Sequence, residues 1–342
     1  MSNANLFEQQ RLNRRRSAIV VAIFLVFFAW VGFGGDLAFN LLTAEADPGE
    51  YHHTIPWIGI VATLLALGIT WHARRNGPKR VLWATGAREL LAPKRQEEKV
   101  LINVVEEMAI ASGLPAPKIW IVPDKDPNAF ATGNNQSSHI AVTEGLLNAL
   151  SRDELQGVVA HELAHIRNHD VKLMTLLAAL IGVITLMSDA AWRTMYVSGR
   201  GRGGGGGKSG GGGGKKGNLG AIILILWLIT LLIAPLLSRL LALGVSRKRE
   251  LLADASAAQF TRNPGSLASA LRKIEDSSEP TVAIGRGSAH LCIADPLGRR
   301  LTHKQGFVAD LLATHPPMGI RVARLKAMAF QFEQTGVLPE SV

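Results

Sequence analysis

Two uncharged apolar segments constrain the fold of this chain more than any other feature. Ser17–Gly35 contains 19 residues and Thr54–Trp71 contains 18. A helix needs about 20 mostly apolar residues to cross the hydrocarbon core of a bilayer. The first segment is longer than the apolar part of a secretory signal and has no clear small-residue cleavage site, so we expect it to stay as an anchor. The sequence therefore predicts two transmembrane helices within residues 17–73.

The distribution of charge predicts how these helices are oriented. Basic residues end the N-terminal segment 1–16 and follow the second apolar segment at 74–80, whereas the loop Asp36–His53 contains acidic residues and no Lys or Arg. The positive-inside rule then puts residues 1–16 and everything after about 74 in the cytoplasm. The net charge of +10 accompanies long apolar segments. This combination indicates a multi-pass protein of the cell inner (plasma) membrane, with the bilayer as a partner, and not a nucleic-acid-binding protein.

A second hydrophobic region, 171–245, has an ambiguous relation to the membrane. It contains two apolar stretches, 171–188 and 219–243, on either side of a basic Gly-rich linker at 199–217. The stretches could span the bilayer as a hairpin or pack on the domain, so the total is two to four transmembrane helices. The linker contains Gly-Gly-Gly-Gly-Lys208-Ser209, but no strand precedes it, as a phosphate-binding loop requires. We therefore predict no nucleotide binding.

The polar parts of the chain, 80–170 and 246–342, predict the two halves of one α+β domain that is mainly helical with a small sheet. Amphipathic periodicity predicts a helix over 96–113, ended by Gly113. Three β-like segments follow at Lys118–Val122, Asn128–Thr132 and His139–Thr143, and then a helix at Glu144–Leu150. The capping box Ser151-Arg-Asp-Glu154 predicts the start of a further helix that shows no obvious end before the apolar stretch from Val171.

That last helix contains the motif His161-Glu162-Leu163-Ala164-His165. Residues i and i+4 share one helix face, so both imidazoles can reach one metal ion. Glu162 lies about 100° around the helix, where it can contact a metal-bound water without being a ligand. The motif could also be a solvated face, but its flanking residues are apolar, and buried ionisable groups need partners or a metal. The pattern is typical of zinc hydrolases.

The residues alone leave the third metal ligand open. Several residues are candidates: His169, His290, His303, His315 and a downstream carboxylate. Glu250 and Asp254 form an i, i+4 pair in which Glu250 can ligate zinc while Asp254 accepts a hydrogen bond from a ligating imidazole, although such a pair could equally lie on a solvated helix face. His169 is one further i+4 step along the predicted helix, which favours a supporting role next to the ligands. Cys292 is the single cysteine, which excludes disulfides within the chain and makes a Cys-based zinc site improbable.

Several separated motifs together resemble the HtpX family of membrane zinc proteases, which belongs to peptidase family M48 and is related to the CAAX-processing Ste24 proteases and to Oma1. The resemblance is carried by the two N-terminal apolar segments and by four motifs: His161-Glu-Leu-Ala-His165, Ser246-Arg-Lys-Arg-Glu250-Leu-Leu-Ala-Asp254, Asn128-Ala-Phe-Ala-Thr-Gly133, and Thr314-His-Pro-Pro317 with Arg321. It implies a gluzincin-like metalloprotease domain that holds one Zn²⁺ per chain.

The resemblance also implies a role for each matching residue. His161, His165 and Glu250 would be the zinc ligands, and Glu162 the general base. Residues 128–133 would form an edge strand at which substrate adds as an extra strand, so that Asn128, Ala129, Phe130 and Ala131 would bind substrate. His315 would stabilise the oxyanion, and Arg321 would help there as a further residue that binds substrate.

The expected function is that of an integral-membrane endopeptidase. The resemblance implies unfolded polypeptides and misfolded or damaged membrane proteins as substrates, in quality control under stress. Two alternatives remain: a membrane scaffold that binds zinc without cutting, which belongs to another functional class, and a dedicated CAAX-type processing protease. Structural zinc usually has four protein ligands, and the presence of three good ones plus Glu162 favours an enzyme.

Overall fold

The computed structural model describes residues 3–43, 54–133, 137–178, 180, 247–277, 282–284, 291–294 and 316–338. The chain divides into two compact units. One contains residues 1–17, 74–179 and 242–342, and the other contains residues 18–73 and 180–241. The Gly-rich linker 199–217, the stretch 219–243 and His315 lie outside the described residues, so the predictions made for them stay predictions.

Two long helices account for most of the described residues between 18 and 73. They are α1 (Asn3–Thr43) and α2 (Trp57–Ala84). Among the described residues, these are the helices long and apolar enough to cross a membrane, with mean hydropathies of 2.5 over Arg15–Leu41 and 1.3 over Trp57–Ala84. Exposed apolar side chains on α1 and α2, such as Val26, Leu64 and Trp71, suit a lipid environment. The two predicted transmembrane helices thus have the length and composition that crossing requires.

The predicted start of the acidic loop at Asp36 was wrong, because residues 36–43 belong to α1. Asp36 is buried within α1, which continues to Thr43. Its carboxylate accepts hydrogen bonds from the backbone N–H groups of Ile58, at 3.2 Å, and Gly59, at 2.6 Å. These N–H groups lie in the first turn of α2, where they have no partner within their own helix. Asp36 is therefore an N-cap supplied by a neighbouring helix, a role that spacing along the sequence does not show.

The other unit contains a small mixed sheet and most of the remaining helices. The strands are β1 (Arg88–Glu89), β2 (Lys118–Val122), β3 (Ala129–Gly133) and β4 (Ser138–Thr143), in the order β1-β2-β4-β3. The β2–β4 pair is parallel and the two other pairs are antiparallel. The helices are α3 (Gln96–Ser112), α4 (Glu144–Ala149), α5 (Arg152–Arg167), α6 (Arg247–Thr261), α7 (Pro264–Glu275) and α8 (Met318–Thr335).

These elements confirm the predicted mainly helical fold with a small sheet. The predicted strands agree with β2, β3 and β4 to within one residue at each end. Gly113 ends α3 with φ of 71°, a left-handed conformation that glycine adopts without the steric cost of a Cβ. Ser151 accepts a hydrogen bond from the N–H of Glu154, and the Glu154 carboxylate accepts one from the N–H of Ser151, so the predicted capping box begins α5.

The prediction that α5 runs on into the apolar stretch was wrong. The helix ends at Arg167, and His169 takes a left-handed conformation with φ of 56°. A second helical segment covers residues 170–178 and is largely buried. The turn removes the i+4 step that placed His169 on the same helix face as His161 and His165.

The position of α5 at the centre of the unit fixes the metal motif. This helix packs against α3, α6, α7 and β3. Gly157 allows the contact with α7, because a Cβ at that position would lie 2.9 Å from the Cα of Leu267. Buried Val158, Val159 and Leu163 anchor the helix in the hydrophobic core. Packing on several sides therefore determines how far the side chains of α5 reach towards α6.

Candidate metal centre

Three metal-ligating side chains meet where α5 and α6 face each other. The Nε2 atoms of His161 and His165 are 3.2 Å apart, as the i, i+4 spacing on one helix predicts. Glu250 approaches from the first turn of α6, with Oε1 3.5 Å from Nε2 of His165 and Oε2 3.7 Å from Nε2 of His161. One ligand atom from each of the three residues can be chosen so that all three atoms lie within 4.8 Å of one another.

These distances can be tested against the size of a zinc ion. In tetrahedral coordination with bonds of about 2.0–2.1 Å, ligand atoms lie roughly 3.3 Å apart. The separations of 3.2, 3.5 and 3.7 Å in this structure are close to this value. The donor set of two imidazoles and one carboxylate is also one that binds zinc in hydrolases. The residues present therefore fit a zinc ion, with the fourth position left for a non-protein ligand.

The outward-facing ring nitrogens of both histidines lie next to carboxylates. Nδ1 of His161 is 3.0 Å from Oδ1 of Asp254, and Nδ1 of His165 is 3.3 Å from Oδ2 of Asp170. A carboxylate beside Nδ1 favours the proton on that nitrogen and leaves the lone pair of Nε2 directed towards the other ligands. Both imidazoles are thus oriented for metal binding by an acidic partner.

The charges around His161 explain its pKa and that of Asp254. Burial lowers the pKa of His161, but the neighbouring carboxylates of Asp254 and Glu250 outweigh burial and raise the pKa to about 9. Burial raises the pKa of Asp254, but the Arg321 guanidinium and His161 hold it at about 2. The surroundings of His161 therefore favour positive charge at this position, whether it comes from a proton or from a metal ion.

Glu162 has the chemistry of a base held out of water. Its side chain is 1% exposed, and Oε2 has no hydrogen-bond partner among the described residues. Burial raises the pKa of Glu162, and so does the neighbouring Glu250 carboxylate, while His161, His165 and the backbone N–H of Ala131 lower it. The net rise brings the carboxylate nearer to the pH at which a general base works well.

Comparison with known proteins identifies the family. Residues 95–329 match the model of peptidase family M48, which covers more than half of the chain. This chain belongs to peptidase family M48. A protein described as "Protease HtpX homolog" from Dictyoglomus turgidum is 38% identical over 332 residues, and the alignment covers 96% of both chains. Another with the same description, from Listeria monocytogenes, is 36% identical over 329 residues and covers 94% of this chain and 100% of the relative. The predicted membership of the HtpX family is confirmed, and the chain is a membrane metalloprotease by family.

Among solved structures, the chain is similar to Ste24p from S. mikatae. The TM-score is 0.42 at 18% sequence identity, and the match covers 90% of this chain and 66% of that chain. The chain thus spans slightly less than two thirds of the length of that protein.

In this M48 protein, β3 lies at the end of the sheet, but its outer edge is partly covered. The segment 291–294 lies antiparallel to it: Cys292 bridges with Phe130, and the N–H of Ile293 donates to the carbonyl of Ala129 at 2.9 Å. At the other end of β3, the N–H of Gly133 donates to Oγ1 of Thr175. Among residues 128–131, which were predicted to bind substrate, Ala131 lines the pocket beside His161, His165 and Glu250.

Asn128 has a different position from the predicted one. It is fully buried, and its Nδ2 donates to the carbonyl of Ala294 at 3.0 Å. Its side chain therefore attaches the segment 291–294 to the start of β3, which does not leave it available for direct contact with substrate. Sequence reasoning missed this because the partner lies 166 residues away.

Arg321 also differs from the prediction that it contacts substrate. It is fully buried, its Nε and Nη2 donate to the two carboxylate oxygens of Asp254 at 2.9 and 2.8 Å, and its Nη1 donates to the carbonyl of Ile293 at 2.8 Å. The guanidinium thus acts behind the metal cluster and not in the pocket. Asp254 lies beside the imidazole of His161, with Oδ1 3.0 Å from Nδ1.

Sequence reasoning missed two residues of the cluster. Asp170, which follows the turn after α5, faces His165, and Arg249 contacts Asp170 with Nη1 3.4 Å from Oδ1. The left-handed turn at His169 places Asp170 beside His165. The continuous helix predicted from the sequence would instead have placed His169 near the site. Arg249 precedes Glu250 in a run of basic residues, a pattern that usually indicates exposure, yet its side chain is buried.

Side chains from several segments form the walls of the pocket at the cluster. The lining residues are Ala131, His161, Glu162, His165, Val171, Met174, Glu250, Leu291, Cys292 and Ile293. The ionisable groups in this lining, besides the thiol of Cys292, are the candidate ligands and Glu162. The rest of the wall is apolar, which keeps the local dielectric low and strengthens electrostatic interactions within the pocket.

Proposed function

We propose that this M48 protein is a zinc-dependent endopeptidase in which His161, His165 and Glu250 hold one Zn²⁺ and Glu162 is the general base. The observation that carries the proposal is the convergence of three ligand atoms at separations suited to zinc, with a buried carboxylate on the next residue of the same helix. When bound, zinc supplies Lewis acidity towards a carbonyl oxygen and lowers the pKa of a coordinated water.

In this mechanism Glu162 moves the proton. It accepts a proton from the attacking water and passes it to the leaving amine as the peptide bond breaks. Its raised pKa supports the first step, because it makes the carboxylate a stronger base than an ordinary one, and the carboxyl group stays acidic enough to give the proton to the far more basic leaving amine. Asp254 and Asp170 keep the two imidazoles oriented. His315 would stabilise the oxyanion, as its match to the family motif implies.

We propose further that the substrates are unfolded polypeptides and misfolded or damaged membrane proteins, cut on the cytoplasmic side of the plasma membrane. The support is the presence of two helices of membrane-crossing length and composition in the same chain as the cluster. The basic residues that flank these helices support the cytoplasmic orientation. Backbone pairing at Ala131 would suit broad specificity, since main-chain hydrogen bonds do not depend on the substrate's side chains.

The experiment compares purified full-length wild type with Glu162→Gln, using casein cleavage and zinc content as readouts. Loss of the base should reduce cleavage by about 10²–10⁴-fold, and zinc content should stay at one ion per chain. Glu106→Gln is the matched control, because Glu106 is exposed on α3. Undiminished cleavage by Glu162→Gln contradicts the assigned base, and a wild type that binds zinc but cuts no polypeptide favours a scaffold instead.

A further inference from the structure

The two histidines of the cluster have matching surroundings on the side away from the metal position. Each Nδ1 faces an aspartate, and each aspartate contacts an arginine. The first series is His161, Asp254 and Arg321, and the second is His165, Asp170 and Arg249. The arginines come from different elements, α8 and α6, so local sequence does not generate the repetition.

Both arginines are buried, and burial of a charged group carries an unfavourable desolvation free energy. Arg321 is fully buried and Arg249 is 7% exposed, and their aspartate partners are 3% and 1% exposed. A buried ion pair seldom adds net stability, because desolvation of both charges cancels much of their attraction, and apolar residues of similar volume often stabilise a core as well or better. Stability alone therefore does not account for two such pairs beside one cluster.

Geometry provides an account. Arg321 donates two parallel hydrogen bonds to Asp254, which fixes both oxygens of that carboxylate and prevents its rotation. The fixed carboxylate in turn determines the orientation of the His161 ring. Arg249 makes a single, longer contact with Asp170 at 3.4 Å, so its hold on the His165 ring is weaker.

We propose that Arg321 and Arg249 are positioning residues of the metal centre, each orienting one histidine ligand through an aspartate. This inference rests on the metal-binding role proposed for His161, His165 and Glu250. Arg321 has the larger effect because it makes a bidentate contact, and it also holds the carbonyl of Ile293 in the wall of the pocket. Nη1 of Arg321 also lies 3.9 Å from Oε2 of Glu250. Loss of Arg321 thus disturbs two ligands and the pocket wall together, whereas loss of Arg249 disturbs one ligand.

The test uses full-length protein with Arg321→Met, Arg321→Lys, Arg249→Met and Arg249→Lys. Three quantities are measured: the midpoint of unfolding, the rate of Zn²⁺ release to a coloured chelator, and the visible absorption bands of the Co²⁺-substituted protein. Lys273→Met is the control, since Lys273 forms an ion pair of 2.7 Å with Glu154 at the start of α5, the helix that carries both histidines. This control perturbs the same helix without touching the aspartates.

We expect Arg321→Met to weaken zinc binding by about 10–100-fold, as is typical when an outer partner of a metal ligand is lost, and to shift the Co²⁺ bands. Arg249→Met should have a smaller effect in the same direction. Lysine keeps the charge but cannot reproduce the planar fork, so Arg321→Lys should restore only part of the binding. Lys273→Met should lower the unfolding midpoint and leave zinc release and the Co²⁺ bands unchanged.

The proposal is overturned if the arginine variants lower stability as Lys273→Met does while zinc release and the Co²⁺ bands match wild type. If the methionine variants do not fold, the lysine variants decide by the same criterion, because they retain the buried charge. A wild type that binds neither Zn²⁺ nor Co²⁺ refutes the proposed metal centre itself, and so differs from a wild type that binds both with variants that bind equally well.

Discussion

Gly32 in α1 lies directly against Gly59 in α2: a Cβ built on Gly32 would come within 2.6 Å of the Cα of Gly59. Gly59 is also tightly packed against α1, because a Cβ on Gly59 would meet the ring of Phe33, the residue after Gly32, at 2.3 Å. In a bilayer, apolar burial does not drive two helices together, so their association depends on close packing and on hydrogen bonds. The two glycines provide the close packing. Asp36, one helical turn after Gly32, provides the hydrogen bonds.

Gly32→Leu should separate α1 and α2. No movement of a flexible side chain can relieve the contact, since a backbone Cα is the nearest atom. We expect a destabilisation of about 1–3 kcal/mol, which is typical of overpacking, measured as a lower thermal midpoint in detergent. Gly68→Leu on α2 is the control, because no atom lies within 4 Å of a Cβ at that position. Equal midpoints for the two variants would show that the close approach does not hold these helices together.

Asp36→Ala should destabilise the same pair of helices by removing the N-cap of α2. The N–H groups of Ile58 and Gly59 would lose a charged acceptor in a setting where water cannot easily replace it. Hydrogen bonds to charged groups contribute about 1.5–3 kcal/mol each, so we expect a loss of that order in the free energy of unfolding in detergent. Asp36→Asn retains one acceptor oxygen and should lose less. An Asp36→Ala variant with the same free energy of unfolding as wild type would mean that the cap contributes no stability.

Features that depend on neighbouring residues along the chain could be predicted from the sequence. The capping box at Ser151 and the left-handed Gly113 mark helix ends, and their local hydrogen bonds form whatever the tertiary surroundings. The proximity of His161 and His165 follows in the same way from helical periodicity. Helical periodicity alone does not identify Glu250 as a metal ligand. That prediction came from the resemblance of its motif to the motif of a protein family.

Features that depend on distant partners could not be predicted. The end of α5 has no glycine or proline to mark it, and the left-handed residue is His169, so apolar periodicity suggested a continuous helix. Asp36 looks like a loop residue until the start of α2 is seen beside it. The buried position of Arg249 next to Asp170, 79 residues away in sequence, follows from the packing of α6 on α5.

Glu154 should make the stability of the catalytic domain depend on pH. Burial raises the pKa of Glu154, but hydrogen bonds from Lys273, Ser269 and the backbone N–H of Ser151 outweigh burial and hold it at about 2. Because this value lies below the ordinary value of 4.5, the contribution is complete above pH 4.5 and is lost as the pH falls towards 2. Glu154→Gln should lower stability at pH 7 by about 1–3 kcal/mol and flatten the dependence between about pH 5 and 3.

Denaturant midpoints measured across this pH range provide the check on Glu154. Glu107→Gln is the comparison, because Glu107 forms an exposed ion pair with Arg152, and such pairs contribute little. An acid dependence in Glu154→Gln as steep as that of wild type would assign the effect to other carboxyl groups.

Asn128→Ala should loosen the segment 291–294 from the edge of β3, and the thiol of Cys292 reports this movement. The amide of Asn128 donates to the carbonyl of Ala294, and its Oδ1 is 3.5 Å from the N–H of Ala294. Loss of one or two hydrogen bonds, each contributing about 1 kcal/mol, should make local opening roughly 5–30-fold more frequent. Cys292 is fully buried and is the single cysteine of the chain, so its labelling by a thiol reagent in native conditions measures that opening directly.

Asn148→Ala is the control for this labelling experiment, because it removes an exposed hydrogen bond with Arg95 and should leave the labelling rate unchanged. Identical rates in Asn128→Ala and wild type would show that the backbone pairing of Ile293 with Ala129 suffices to hold the segment in place.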